Sequence, residues 1–276
     1  MRYFRRDVTG FSLGNHAVEL CYGVFCPPFQ YHEQDYLNAA QTGAMFVSLP
    51  KQLLHVINVM KSSASIDYHK DYKLVTIFIG SNDLCMACTT SAFNPFPPAS
   101  LLNATLHSLI PLLPPRTVVN IIGLFNISQI HSLQTNPDVC SESVITKGDW
   151  ECPCAGLSGS LGRTLRLQMD RAVISYNAIF QSFAADSHNN PYLLLKNILI
   201  LYDPTLESLA VNSLSSETQR RLISHIDCFH PSMWAHQRIA VAVWNNLFRR
   251  EKREIIVEGD GDRDPPYCPN EDDRIQ

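Results

Sequence analysis

Apolar positions recur along this chain in two alternating rhythms. Over residues 44–60, in "AMFVSLPKQLLHVINVM", they fall at helical spacing, with Pro50 expected to bend the start of the helix or delay it. Residues 74–79 form an unbroken, largely β-branched apolar run stopped by Gly80, the pattern of a central strand buried on both faces. After a proline-rich loop at residues 93–98, helical spacing returns from about residue 99 to 113, and "TVVNIIGLF" gives a second buried strand. Residues 140–162, rich in Cys, Gly and Ser, read as an irregular excursion held by cross-links. Beyond it, "RTLRLQMDRAVISYNAIFQSFAAD" reads as a long amphipathic helix, "NILILYDP" as a third strand, and "SMWAHQRIAVAVWNNLF" as a last helix from near Met233. On that helix Trp234, Ile239, Val243, Trp244 and Leu247 read as core packing rather than a lipid-contact surface. Strand alternating with helix predicts a parallel sheet covered by helices, in which ligands bind beyond the carboxyl ends of the strands.

Composition narrows this picture. The 276 residues are 45% hydrophobic, enough for one large α/β domain, expected over residues 1–257, with an acidic, mobile tail at 258–276. A net charge of −4 without a basic stripe disfavours nucleic acid as a partner. No apolar run approaches the ~20 residues that span a bilayer, and the N-terminus lacks the apolar centre of a signal peptide. Nine cysteines nevertheless read mainly as disulfides, and the sequons at Asn103 and Asn126 suit a glycoprotein of an oxidising, secretory setting. A secreted composition without a secretion signal is explained if the sequence begins downstream of its true start.

Four stretches carry candidate chemistry. "GFSLG" matches Gly-x-Ser-x-Gly, but a serine elbow needs a buried strand before it and a helix after it, and Ser12 has a charged segment before and a Gly and prolines after. Asp227 lies three positions before His230 at the mouth of the last helix, so one turn of loop lets the carboxylate accept the Nδ1 hydrogen and leaves Nε2 free as a base. The bland alternative is a helix cap beside a surface histidine. Gly80-Ser81-Asn82-Asp83, at a strand end, offers the Asn82 amide to a developing oxyanion, or is an ordinary turn. "NAAQTGA" places the Gly43 N–H just ahead of a helix, where the dipole favours an anion. Cys85, Cys88, Cys152 and Cys154 also offer four thiolates to zinc, although their short, irregular spacing and the sequons favour oxidation; Cys85 and Cys88 as a redox pair fit less well still.

Taken in order, an Asn-x-Ala-x-x-Gly block, a strand followed by Gly-x-Asn-Asp, and a late Asp-x-x-His resemble the GDSL, or SGNH, hydrolase superfamily. The wording "VTIFIGSNDLCMAC", "ECPCAGL", "DCFHPSMWAHQRIAVAVWNNLF" and the late "CPN" is most similar to the phospholipase B family of animals, over nearly the whole chain except its acidic end. The resemblance implies a flavodoxin-like three-layer α/β/α sandwich with a parallel sheet, and hydrolysis of fatty-acyl esters in phospholipids and lysophospholipids without a metal or other cofactor. It implies His230 as general base, Asp227 as its orienting acid, and Gly43 and Asn82 as oxyanion donors. It also implies contact with a membrane surface, and a secreted or extracellular membrane-associated setting for a full-length form.

The family carries its nucleophilic serine in an N-terminal Gly-Asp-Ser block at the end of the first strand, and no Gly-Asp-Ser occurs in this sequence. The resemblance therefore implies that the first strand is missing, that Ser12 is a loop serine downstream of the nucleophile, and that this truncated chain is inactive or nearly so and unstable. Three readings follow: such a hydrolase lacking its nucleophile block, a short product that binds lipid or a partner without turnover, or a different esterase using Ser12 or Ser81.

Overall fold

The structure is a computed structural model that describes residues 7–14, 16, 20–23, 31–89, 96–140, 151–248, 266–270, 273 and 275. In chain order the strands are β1 (Leu20–Gly23), β2 (Thr42–Ala44), β3 (Lys73–Ile77), β4 (Thr117–Ile122) and β5 (Ile198–Asp203). The helices are α1 (Leu49–Ser62), α2 (Ser81–Met86), α3 (Ala99–Leu109), α4 (Ile130–Thr135), α5 (Pro153–Gly156), α6 (Gly159–Ser187), α7 (Pro191–Leu195), α8 (Ser216–Leu222) and α9 (Met233–Asn246).

Strands β3, β4 and β5 form a sheet in that order. β3 runs parallel to β4 in register from Lys73 opposite Thr117 to Ile77 opposite Ile121. The amide of Thr117 bonds to Asn197 O (3.1 Å) and that of Gly123 to Asp203 O (2.8 Å), so β4 and β5 also advance together. Parallel neighbours need crossovers. Helix α3 lies in the connection from β3 to β4 and α6 in that from β4 to β5, giving the parallel α/β architecture of the three-layer class. β1 and β2 pair in parallel as a separate two-stranded sheet.

Two expectations need correction. β3 is not the central strand: among the described residues it is an edge of its sheet, with Thr76 exposed and Phe78 47% exposed. The strand covered on both faces is β4, where five of six residues are buried. Likewise the helix expected over residues 44–60 begins only at Leu49, after a 3₁₀ turn at Phe46–Ser48, with Pro50 in its first turn, where a missing N–H costs nothing. From there Leu49, Leu53, Ile57 and Met60 are buried, one face of a 3.6-residue repeat.

The chain gathers into two compact units. The first comprises Met1–Asp83, Pro98–Ile121 and Ile179–Leu201; α1, α3 and the end of α6 carry its core, including Leu53, Met60, Leu102, Leu106 and Phe180. The second comprises Leu84–Pro97, Ile122–Ala178 and Tyr202–Gln276. One of its cores gathers Ile122, Leu133, Val139, Leu206, Leu222, Ile223 and Ala235, with Trp234, Ile239 and Val243 packed against them, so the apolar stripe of α9 is core. Within the segment expected as an acidic tail, Tyr267 is held on α9: its O accepts from Trp244 Nε1 (2.8 Å) and its N–H donates to Asn245 Oδ1 (2.6 Å).

Candidate active site

Gly43 and Asn82 belong to the first unit. Gly43 stands inside β2 with φ +79°, a left-handed conformation that a side chain at this position would strain. It is not just ahead of a helix, as its sequence context suggests. Five residues separate it from Leu49, and the field of a helix end fades within a turn, so the dipole argument for Gly43 falls away. What fixes this turn is the dipeptide Asn82-Asp83. Asn82 Nδ2 donates to Ala44 O (2.9 Å), and Asp83 Oδ2 accepts from the Phe46 N–H (3.0 Å), so two neighbouring side chains grip the backbone on either side of Met45. The amide of Asn82 keeps a second hydrogen for a ligand.

Asp83 is 2% exposed. Burial pushes its carboxyl up to about 7, against the opposing pull of the Phe46 N–H and its own N–H. The sequence places Asp83 in the Gly80–Asp83 stretch at a strand end, where only the Asn82 amide is given a role. The available signal was the apolar Leu84-Cys85-Met86 that follows it. Two positions before Gly43, Gln41 is 8% exposed, and neither of its side-chain amide atoms has a hydrogen-bond partner among the described residues.

Asp227 and His230 belong to the second unit, on the loop between α8 and α9. His230 Nδ1 lies 2.8 Å from Asp227 Oδ2. The other carboxylate oxygen accepts the N–H groups of Phe229 (2.9 Å) and His230 (3.0 Å). The carboxylate thus closes its own loop turn. It is not the cap of α9, a role filled by Ser232, whose side chain accepts from the Ala235 N–H. Partial burial opposes the charge on Asp227, but the Phe229 N–H, the His230 ring and the His230 N–H outweigh it and hold the carboxyl below its usual range. The His230 side chain is 48% exposed against 15% for Asp227, so the ring has its Nδ1 side tied down and its far side open. An imidazole held in this way keeps its proton on Nδ1 and presents Nε2 as a base.

Residues 27–243 match the profile of the GDSL-like Lipase/Acylhydrolase family. The chain belongs to that family. It is also similar to "Phospholipase B1, membrane-associated" of Mus musculus (24% identity over 275 positions), Rattus norvegicus (25% over 277) and Homo sapiens (24% over 278). Each alignment covers 98% of this chain and 17% of the relative, so the chain spans about a sixth of the length of these proteins.

In this lipase/acylhydrolase chain, residues 7–14 contain neither strand nor helix. Ser12 is exposed on that loop, its Oγ accepting from Asn38 Nδ2 (3.0 Å), and residues 7–14 supply neither the strand before it nor the helix after it that a serine elbow needs. Ser81 opens α2 in a half-buried position. The four thiols considered for zinc are oxidised in pairs, Cys85 with Cys152 and Cys88 with Cys154, and Cys140 pairs with Cys228. Cys85 and Cys88 therefore do not pair with each other. Among the described residues no group of three His, Cys, Asp or Glu gathers as a metal site, and no helix is long and apolar enough to cross a membrane. Of the proline-rich loop at residues 93–98, residues 93–95 lie outside the described residues.

Proposed function

We propose that this chain carries most of the catalytic apparatus of a phospholipase B-like hydrolase that cleaves fatty-acyl esters of phospholipids or lysophospholipids at a membrane surface, in a secreted or extracellular membrane-associated setting. The observation that carries the reading is the 2.8 Å contact between His230 Nδ1 and Asp227 Oδ2 on a ring whose other side is open. In the proposed reaction His230 Nε2 takes the proton of a serine hydroxyl as it attacks the ester carbonyl, and Asp227 stabilises the resulting imidazolium. The Gly43 N–H and the free hydrogen of Asn82 Nδ2 receive the charge on the carbonyl oxygen. His230 then returns the proton to the departing alcohol, and water releases the acyl group by the same steps in reverse order.

The attacking hydroxyl belongs to a Gly-Asp-Ser block, which these residues do not contain. Without it His230 has no proton to take, and loss of a triad nucleophile costs ~10⁶-fold in rate. A fluorophosphonate probe tests this on the 276-residue chain and on a form extended upstream in frame. The extended form is expected to label and the shorter one not. Labelling of the shorter chain that Ser12→Ala or Ser81→Ala removes overturns the assignment in favour of that serine. That these residues contain no Gly-Asp-Ser also favours a second reading, binding without turnover, which holds if lysophospholipid binds and neither form hydrolyses it.

A further inference from the structure

The loop bearing Asp227 and His230 is held by a few hydrogen bonds, among them the Cys228 N–H on Ser224 O (2.9 Å). Its base is pinched by a bridge between Ile223 and Pro231, by the Ser224 N–H on His230 O (2.8 Å) and by the Ser232 N–H on Leu222 O (2.7 Å). Between these points the chain lies at the surface. Of residues 224–230, Cys228 alone is buried, at 1% exposure, and the loop's aliphatic side chain, Ile226, is 59% exposed. Hydrophobic burial in this segment therefore centres on Cys228, with Phe229 half-buried beside it.

Cys228 is also the strained residue of the loop. Its φ is +54°, a conformation in which glycine or asparagine is the ordinary occupant and which strains other residues. Here the position is filled by a cysteine bonded to Cys140. Cys140 is itself anchored: it is 1% exposed, its N–H bonds to Asn136 O (2.9 Å), and it sits in the cluster of Ile122, Val139 and Leu206. The positive φ turns the backbone so that the next two N–H groups, of Phe229 and His230, converge on Asp227 Oδ1. Oδ2 is left for the imidazole.

We propose that Cys228, through its disulfide to Cys140, is a positioning residue that holds Asp227 against His230, so that reduction of this one bond releases the imidazole. The proposal rests on the hydrolase reading for its meaning, though its test does not. Opening the bond frees residue 228 to relax to negative φ; the two N–H groups then leave Oδ1, and the Nδ1 contact goes with them. The reduction takes two electrons and two protons from a dithiol or glutathione-type thiol, which becomes the corresponding disulfide, and leaves two thiols at 140 and 228.

The 276-residue chain with ¹⁵N-labelled histidine tests this by NMR. The oxidised chain is expected to show His230 as a single Nδ1–H tautomer with a low-field ring proton. Cys140→Ala/Cys228→Ala is expected to lose that proton signal and mix tautomers while the methyl spectrum stays dispersed. A folded double variant with an unchanged tautomer overturns the proposal. Should that variant not fold, the wild-type chain is titrated with dithiothreitol, and each disulfide is followed by alkylation and mass mapping. Loss of the signal in step with Cys140–Cys228 supports the proposal; loss in step with Cys85–Cys152 or Cys88–Cys154, or survival after Cys140–Cys228 has opened, overturns it. Because the readout is a ring proton and not turnover, failure here leaves the hydrolase reading standing, and failure of that reading leaves this result intact.

Discussion

Gly43 and Asn82 are half-buried beside a turn whose Ala44 O and Phe46 N–H are held by the side chains of Asn82 and of Asp83, a carboxyl with 2% exposure. Asp227 and His230 sit on an exposed loop whose one buried side chain is a disulfide sulfur. The first pair is shaped by burial and is open to disturbance by charge. The second is shaped by a covalent bond and a carboxylate that folds its own turn. The two proposed catalytic roles thus rest on different physics, and the two regions are expected to fail under different treatments.

The largest contrast lies in activity. In a form carrying the serine nucleophile, His230→Ala is expected to lower kcat by ~10⁵ to 10⁶-fold, and Asn82→Ala by ~10² to 10³-fold. The two should differ in the opposite sense in stability: thermal denaturation should move little for the exposed His230, and more for Asn82, which leaves Ala44 O without its donor. Turnover retained by His230→Ala contradicts the assignment.

The paired disulfides sharpen the covalent side. Cys85–Cys152 and Cys88–Cys154 span separations of 67 and 66 residues and close nearly the same loop. The chain-entropy gain of about 4 kcal/mol is therefore counted once. Urea unfolding of Cys85→Ala/Cys152→Ala, or of Cys88→Ala/Cys154→Ala, should show a loss of about 1 kcal/mol, and removal of both bonds a loss of about 4 kcal/mol. Equal, additive losses would show that each bond acts on its own.

Acidity probes the buried side. The folded state holds the Asp83 carboxyl at about 7, above the 3.8 of an unperturbed aspartate, so between these values the folded state binds the proton more tightly than the unfolded state. Its contribution is fully present below about pH 4 and is lost as pH rises to about 7, a change of up to ~4 kcal/mol. Asp83→Asn, which keeps an acceptor for the Phe46 N–H, should flatten this part of the stability profile measured by urea unfolding between pH 5 and 8. An unchanged slope means that Asp83 is not its source.

The smallest effect concerns Gln41. Replacing it with Leu removes two buried amide atoms that have no partner among the described residues and should raise stability by ~1 kcal/mol in the same assay. A loss of stability instead would show that the amide has a partner in solution.

The sequence alone determined the alternation of strands and helices, because buried β-branched runs such as "TVVNII" and helical repeats such as that of α1 express local steric and hydrophobic preference. It also pointed to the Asp227–His230 contact, since their spacing of three lets one loop turn join the pair, and favoured oxidation of Cys85, Cys88, Cys152 and Cys154, though not who pairs with whom; the helix-cap and zinc alternatives were excluded by the structure. Only tertiary structure decided the rest. The burial of Asp83, the edge position of β3, the disulfide from Cys140 to Cys228 across 88 residues and the placement of Gly43 within a strand all depend on what distant segments bring alongside. A side chain's own chemistry sets what it can bond, but its solvation and its partner are set by atoms that lie far away in the chain.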